Sequence, residues 1–183
     1  DIIKDKVNYL NTILNDFLSI ERLESGTFNY KFASFKLSKV INEVVYRANM
    51  LLQEGQLIIY PQGIDDIIMC QDELIIELIV SNVIQNAVKY SGENSEINIR
   101  IYQNSTDTIF EIKDQGIGIP VGDLNNVFKR YFRAQNVLNM QGTGIGLNIV
   151  KTHLENLGGC ITLTSIENEG TTVTLYIPNK QTL

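Results

Sequence analysis

The chain is short of the residues from which the commonest metal and nucleophilic centres are built, with two cysteines and one histidine among 183 residues. Cys70 and Cys160 lie far apart and share no metal-ligand spacing, and their apolar flanks predict two reduced thiols in the core. No Gly-Lys pair occurs anywhere, which excludes a P-loop. No apolar stretch approaches the ~20 residues that a membrane span needs, and nothing resembles a secretory signal. The expectation is a cytoplasmic segment without membrane contact. Basic residues are scattered: 15 Lys and Arg stand against 21 Asp and Glu, for a net charge of -6. Counterion release needs clustered cations, so the absence of a basic stripe argues against a general nucleic-acid surface.

What the chain does have is 44% hydrophobic content, ample for one core at this length. Residues 1 to about 24 read as one helix with Ile3, Val7, Leu10, Leu14 and Phe17 at heptad-like spacing, reinforced by Ile2, Ile13 and Leu18. Ser25-Gly26 ends it, which sets a boundary near residue 26 between an appendage (1–26) and a compact domain (27–183). An extended stretch near 28–32 leads to a second helix over about 37–53. Short strands follow near 57–60 and 67–70, then a helix over 72–90. Period-2 apolar positions such as Ile97, Ile99, Ile101 and Ile109 mark strands over 96–103 and 108–113, joined by the polar turn Asn104 to Asp107. A helix over about 146–157 stops at Gly158-Gly159, and strands over 160–165 and 171–177 pair through Asn168-Glu169-Gly170. This order predicts an α/β two-layer sandwich, a mixed sheet covered by helices on one face and preceded by one long helix.

Two glycine clusters interrupt the pattern, Asp114-Gln115-Gly116-Ile117-Gly118 and Gly142-Thr143-Gly144-Ile145-Gly146-Leu147. Glycine lets backbone N-H groups turn toward a ligand without a Cβ in the way, so the clusters suggest a phosphate-bearing ligand under the segment between them. Spacing excludes a dinucleotide fingerprint, because Gly146 comes one place too early.

On the helix over 72–90, Ile75, Leu78 and Ile79 predict an inward face that Asn82, Asn86 and Lys89 continue. An unsatisfied buried amide costs roughly 1–3 kcal/mol, so a polar cavity explains the change of character better than a core does. Asparagine offers a neutral hard oxygen suited to Mg²⁺ that also keeps waters and phosphates, and Lys89 is placed to meet a phosphate as a point charge.

These runs together resemble a known family. Asn82 through Tyr90, Asp114-x-Gly116-x-Gly118, Phe128-Lys129-Arg130-Tyr131-Phe132-Arg133, Gly142-x-Gly144-x-Gly146-Leu147 and Gly170-Thr171-Thr172 look like the N box, first glycine box, F box, second glycine box and final Gly-Thr motif of sensor histidine kinases. Residues 1 to 26 are similar to the second helix of that family's dimerisation and histidine-phosphotransfer domain. The resemblance implies a Bergerat-type ATP-binding sandwich that binds Mg-ATP and transfers its γ-phosphoryl group to a histidine.

It also implies roles. Asn86 would ligate Mg²⁺ with Asn82 in support, Lys89 would meet the phosphate chain, and Tyr90 would lie near the adenosine. Asp114 would accept from the exocyclic amine of adenine, where guanine presents a carbonyl. Gly116 and Gly118 would keep the nucleotide wall close. Gly142, Thr143, Gly144, Gly146 and Leu147 would present the start of the following helix to phosphate. Arg133 would reach the γ-phosphate, and Thr172 belongs to the least specific motif. Phe128, Tyr131 and Phe132 are expected to pack the base of a lid at 134–141, a segment without a strong secondary-structure signal.

Relatives with this fold that hydrolyse ATP place a carboxylate one helical turn before the metal-binding Asn. Asn82 stands there, and a neutral amide cannot accept a proton from water, which favours transfer to a protein acceptor. The acceptor motif resembles His-Glu-x-x-x-Pro and has no counterpart in this chain. His153, the single histidine, is expected at a surface or partly packed position. The implied partners are a dimerisation domain of the same protein that bears the acceptor, a downstream response regulator, and a second copy through the stripe from Ile3 to Phe17. An anti-sigma-type Ser/Thr kinase and a non-enzymatic ATP-binding module are the alternatives; the long apolar helix argues against the former.

Overall fold

Alternation puts Ile97, Ile99 and Ile101 on one side of a strand, and burial of that side against helices is what organises the molecule. In the computed structural model, residues 28–179 are described, together with positions 7, 10, 11, 14, 18, 21–23 and 26. The elements run β1 (Ala33–Lys36), α1 (Leu37–Asn49), β2 (Leu57–Ile59), β3 (Ile68–Gln71), α2 (Glu73–Tyr90), β4 (Glu96–Gln103), β5 (Asp107–Lys113), α3 (Gly146–Asn156), β6 (Cys160–Ile166) and β7 (Gly170–Pro178). The main sheet has five strands in the order β2-β4-β5-β7-β6, parallel at β2–β4 and antiparallel elsewhere. The expected mixed sheet under helices is what forms.

The core lies between the sheet and the helices. Ile97, Ile99, Phe110, Ile112, Leu175 and Ile177 meet Ile41 and Val44 of α1, Ile76, Ile79 and Ile84 of α2, and Val150 and Leu154 of α3. Glu96, Arg100 and Tyr102, at the alternate positions of β4, remain exposed. Large apolar side chains buried to this degree are each worth about 1.5–3 kcal/mol, so this single layer supplies the bulk of the stability.

Several expectations change. Ala33–Lys36 pairs antiparallel with β3 in a separate two-stranded sheet, a strand that its single buried residue, Phe35, does not announce. The thiols are exposed rather than in the core: Cys70 takes an outward position of β3 between buried Met69 and Gln71, and Cys160 opens the edge strand β6. His153 is the reverse case, with 1% exposure. On α2 the buried stripe is Ile75, Ile76, Ile79, Val80, Val83, Ile84, Ala87 and Val88. Asn82, Asn86 and Lys89 therefore flank the core stripe instead of continuing it. They line up with partly buried Leu78, which packs on Ile145 and Ile149.

The described positions between 7 and 23 are helical, and Val7, Leu10, Leu14 and Leu18 are all exposed. The other apolar positions of that stripe, Ile2, Ile3, Ile13 and Phe17, lie outside the described residues. Gly26 adopts φ +63, a left-handed turn after the helical positions. No described helix is long and apolar enough to cross a membrane.

α2 ends with unusual support. The buried Gln56 side chain donates from Nε2 to the carbonyls of Val88 at 3.2 Å, Ser91 at 3.0 Å and Gly92 at 3.1 Å. Gly92 O also accepts from Ser95 Oγ at 2.6 Å and Ser91 O from Gln53 Nε2 at 3.5 Å, so Gln56 shares in satisfying the carbonyls at this helix end. Gln56→Ala removes the side-chain donor to the Val88 carbonyl and weakens the support of the other two, and is expected to lower stability by about 1–3 kcal/mol in urea unfolding. A change under about 0.5 kcal/mol would show that solvent replaces the amide at no cost.

Candidate functional site

The C-terminal half of α2, the loop after β5, residues 132–147 and the start of β7 enclose a cavity of about 860 Å³. Asp114, which is 8% exposed, stands in its wall. Its Oδ1 accepts from the Gly116 N-H at 2.8 Å and the Thr171 N-H at 3.0 Å. Both bonds fall on Oδ1, so Oδ2 keeps its lone pairs for a ligand. Burial pushes the Asp114 carboxyl above the ordinary carboxylate range, and the two N-H bonds offset part of that rise. Gly116 does not line the cavity, but it lets the loop approach α2: a Cβ there would come within 2.5 Å of the Tyr90 carbonyl.

Cations and amides also line the cavity. Lys89 Nζ donates to Tyr90 Oη at 3.0 Å and lies 4.6 Å from the centre of that ring. A Cβ on Gly142 would stand 2.8 Å from Lys89 Nζ, 3.7 Å from Tyr90 Oη and 3.9 Å from Arg133 Nε, so these groups converge on one spot that only glycine leaves open. Arg133 donates to the carbonyls of Val137 and Met140, which ties it to the lid. Asn82 donates from Nδ2 to Leu78 O at 2.9 Å, while its Oδ1 faces Gly146, where a Cβ would come within 2.8 Å. The Asn86 amide lines the cavity one turn further on and makes no hydrogen bond to the described residues. Gly146 and Leu147 open α3, whose N-terminus has no side-chain cap, so first-turn N-H groups remain available at the cavity wall.

Gly118, Thr143 and Gly144 also line the cavity, and so does Phe132. Thr172 does not. β7 alternates, and Thr171 and Val173 face the cavity in its place while Thr172 pairs with Lys113 and Thr164 across the sheet. Thr171 was one position away in the Gly-Thr motif; its backbone bond to Asp114 carries no sequence signal. Tyr131 is not packed at the lid base: it is 58% exposed with φ +61. Phe128 is half-buried under Lys151, whose Nζ lies 5.8 Å from the ring centre. The lid contains a short 3-10 turn, Gln135–Val137, pinned by Asn136 Nδ2 donating to Gly118 O at 2.9 Å.

A cavity lined by one buried carboxylate together with amides, an ammonium and a guanidinium agrees with what comparison finds. The family of histidine kinase-, DNA gyrase B- and HSP90-like ATPases matches residues 71–181. The chain belongs to this family. The sensor histidine kinase WalK of Bacillus subtilis is 30% identical over 173 residues, covering 92% of this chain and 28% of that protein. The sensor histidine kinase YxdK of the same organism is 30% identical over 93% of this chain and 53% of its own length. Among solved structures, the catalytic domain of histidine kinase ThkA superposes with a TM-score of 0.69 at 26% identity, covering 81% of this chain and 96% of that one. The histidine kinase AdeS of Acinetobacter baumannii shares the fold, with a TM-score of 0.79 over 97% of this chain. The chain thus spans between about a quarter and a half of the length of these two curated relatives. Its fold is the Bergerat sandwich of histidine kinase catalytic domains, and membership of this ATPase family implies ATP binding.

The raised Asp114 pKa gives a signed prediction. An ionised carboxylate is the stronger acceptor and offers no competing O-H, so if Asp114 meets the nucleotide base, ATP affinity is expected to be highest at neutral pH and to fall as pH drops through the raised value, before ordinary aspartates titrate. Asp114→Asn is expected to weaken ATP binding about tenfold to a hundredfold at pH 7, the loss of one charge-assisted bond, and to flatten the acid limb when binding is followed by calorimetry.

Proposed function

We propose that this chain is the catalytic ATP-binding part of a two-component sensor histidine kinase, which passes the γ-phosphoryl group of ATP to a histidine of a dimerisation domain. The observation that carries transfer over hydrolysis is the make-up of the cavity wall. Among the described residues lining it, Asp114 is the one carboxylate, and its Oδ1 is committed to the N-H groups of Gly116 and Thr171. The groups near the proposed phosphate end are amides, an ammonium and a guanidinium, and none of them accepts a proton from an attacking water.

In this reading Asp114 selects adenine and Tyr90 lies beside the adenosine. Lys89 and Arg133 supply positive charge to the phosphate chain, while the N-H groups of Thr143 to Leu147 offer the α3 dipole. Among the described residues the Asn86 amide oxygen has no hydrogen-bond partner, and the Asn82 oxygen is turned to Gly146, a donor set that suits Mg²⁺ held jointly with phosphates and water. Mg²⁺ there would neutralise phosphate charge. Arg133 exchanges its lid carbonyls for phosphate when the lid orders over the nucleotide.

Residues 1–26 are assigned to the dimerisation helix and 27–183 to the catalytic domain. The exposed row Val7, Leu10, Leu14 and Leu18 supports pairing with a second copy, since a face of this kind is covered in helix bundles. The further partner is a response regulator, and the compartment is the cytoplasm.

The test is incubation with γ-labelled ATP and a complete dimerisation domain carrying the acceptor histidine. Acid-labile, base-stable label on that domain is expected. Acid-stable label would favour a Ser/Thr kinase, and bound ATP with no transfer would favour a regulatory module. Asn86→Ala is expected to reduce transfer at least about tenfold, the cost of one lost hydrogen bond or ligand to a charged group.

A further inference from the structure

His153 is buried where nothing in the proposed chemistry uses it. Its ring sits against residues 28–32, the extended segment between the N-terminal helical positions and β1. Three aromatics alternate along that segment. Phe28 meets the imidazole edge-on at 5.0 Å between ring centres, Tyr30 does so at 5.8 Å, and Phe32 stacks on Tyr30 at 6.1 Å. Tyr30 Oη and His153 Nδ1 are 3.0 Å apart, and Asn156, three residues further along α3, donates from Nδ2 to Tyr30 Oη at 3.1 Å. The backbone of the same segment is held from α2, because the Lys31 N-H donates to Asp72 Oδ2 at 2.8 Å.

The donor between Tyr30 and His153 depends on the ring tautomer. When the Tyr30 proton goes to Nδ1, the ring proton lies on Nε2, which is buried and has no partner among the described residues. We infer that His153 is a positioning residue: as a neutral ring it clamps the segment 28–32 to α3, and on taking up a proton it lets that segment go. Protonation turns Nδ1 into a donor, so the bond to the Tyr30 hydroxyl must reverse, and it places a buried charge against the Phe28 and Tyr30 rings. The inference rests on the proposed nucleotide site for its consequence only. α3 begins at Gly146 and Leu147 in the cavity wall, and His153 lies about two turns along the same helix. The clamp therefore sets the donor cavity relative to the N-terminal helix that precedes the segment.

The surroundings agree. Burial lowers the His153 pKa from 6.5 to about 4, and the Asp72 carboxylate opposes that shift. Asp72 and Tyr30 are the titratable groups acting on the ring from α2 and from the segment. β6 and β7, which pack beneath α3, contain no carboxylate, amine or guanidinium, their titratable side chains being Cys160 and Tyr176, and on α3 itself Lys151 and Glu155 pair with each other at 3.7 Å. The sign follows from linkage. The released ring binds a proton more readily than the clamped one, so the clamp is at full strength above pH 6.5 and weakens as pH falls toward 4. Between pH 7.5 and 5.0 the clamping equilibrium drops roughly thirtyfold.

The test is amide hydrogen exchange on the whole chain, with rates corrected for the intrinsic pH effect. Protection of the Lys31 amide is expected to fall roughly thirtyfold from pH 7.5 to 5.0 while β4 and β5 amides hold, and His153→Leu is expected to abolish that pH dependence. A flat wild-type profile, or an equal fall in the Leu variant, would overturn the inference. The His153 ring titration by NMR in the wild type guards against a variant that fails to fold: a pKa well below 6.5 supports the clamp, and one at or above 6.5 removes it. Mg-ATP binding measured in parallel separates the two ideas, since its absence would sink the nucleotide reading and leave the exchange result standing.

Discussion

One helix carries two incompatible demands. α2 must bury a stripe of apolar side chains from Ile75 to Val88 against the sheet, and along the adjacent flank it must hold two amides and an ammonium at the edge of a polar cavity. A helix achieves this because residues three and four apart share a face, so moving the polar set by one position keeps both rows straight. Everything else at the site is arranged about that flank. Gly142 and Gly146 omit the Cβ atoms that would strike Lys89 and Asn82, Gly116 lets the loop after β5 reach the Tyr90 carbonyl, and Gln56 shares in satisfying the carbonyls at the helix end.

The cavity carries groups of opposite character. The buried carboxylate follows β5, while the cations and amides come from α2 and the segment before α3, and α3 adds an uncapped N-terminus. Such a set suits a ligand with a neutral donor and anionic groups. The mobile-looking stretch between the glycine clusters is in fact tied down at both ends, through Asn136 to Gly118 and through Arg133 to the Val137 and Met140 carbonyls. Each of these bonds is one that a nucleotide could replace, which gives the lid a defined resting state.

The sheet and α2 were readable from sequence because their periodicities are long: β4 over 96–103 is found at its expected limits, and α2 begins one residue inside the expected start, after its Asp72 cap. Short or context-dependent features were not. β1 has one buried residue, too few for a period, and the 3-10 turn in the lid depends on tertiary contacts. Cys70 and Cys160 were judged by apolar neighbours, which in strands point to the opposite side. His153 was judged by residue type alone, and its burial depends on Tyr30, which is 123 positions away. At the site, the glycines and Asp114 could be found by motif. Thr171 differs from Thr172 only in strand parity, and parity follows from a register that no short motif reveals.

The central claim is that this cavity holds an adenine nucleotide by its base at Asp114 and by its phosphates near Asn86 and Lys89. Calorimetric titration of the chain with ATP and GTP, each with and without Mg²⁺, tests it most directly. The account predicts ATP binding that strengthens with Mg²⁺ and exceeds GTP binding by at least about tenfold, the value of one base-specific hydrogen bond. Equal affinity for the two nucleotides, or affinity indifferent to Mg²⁺, would contradict it.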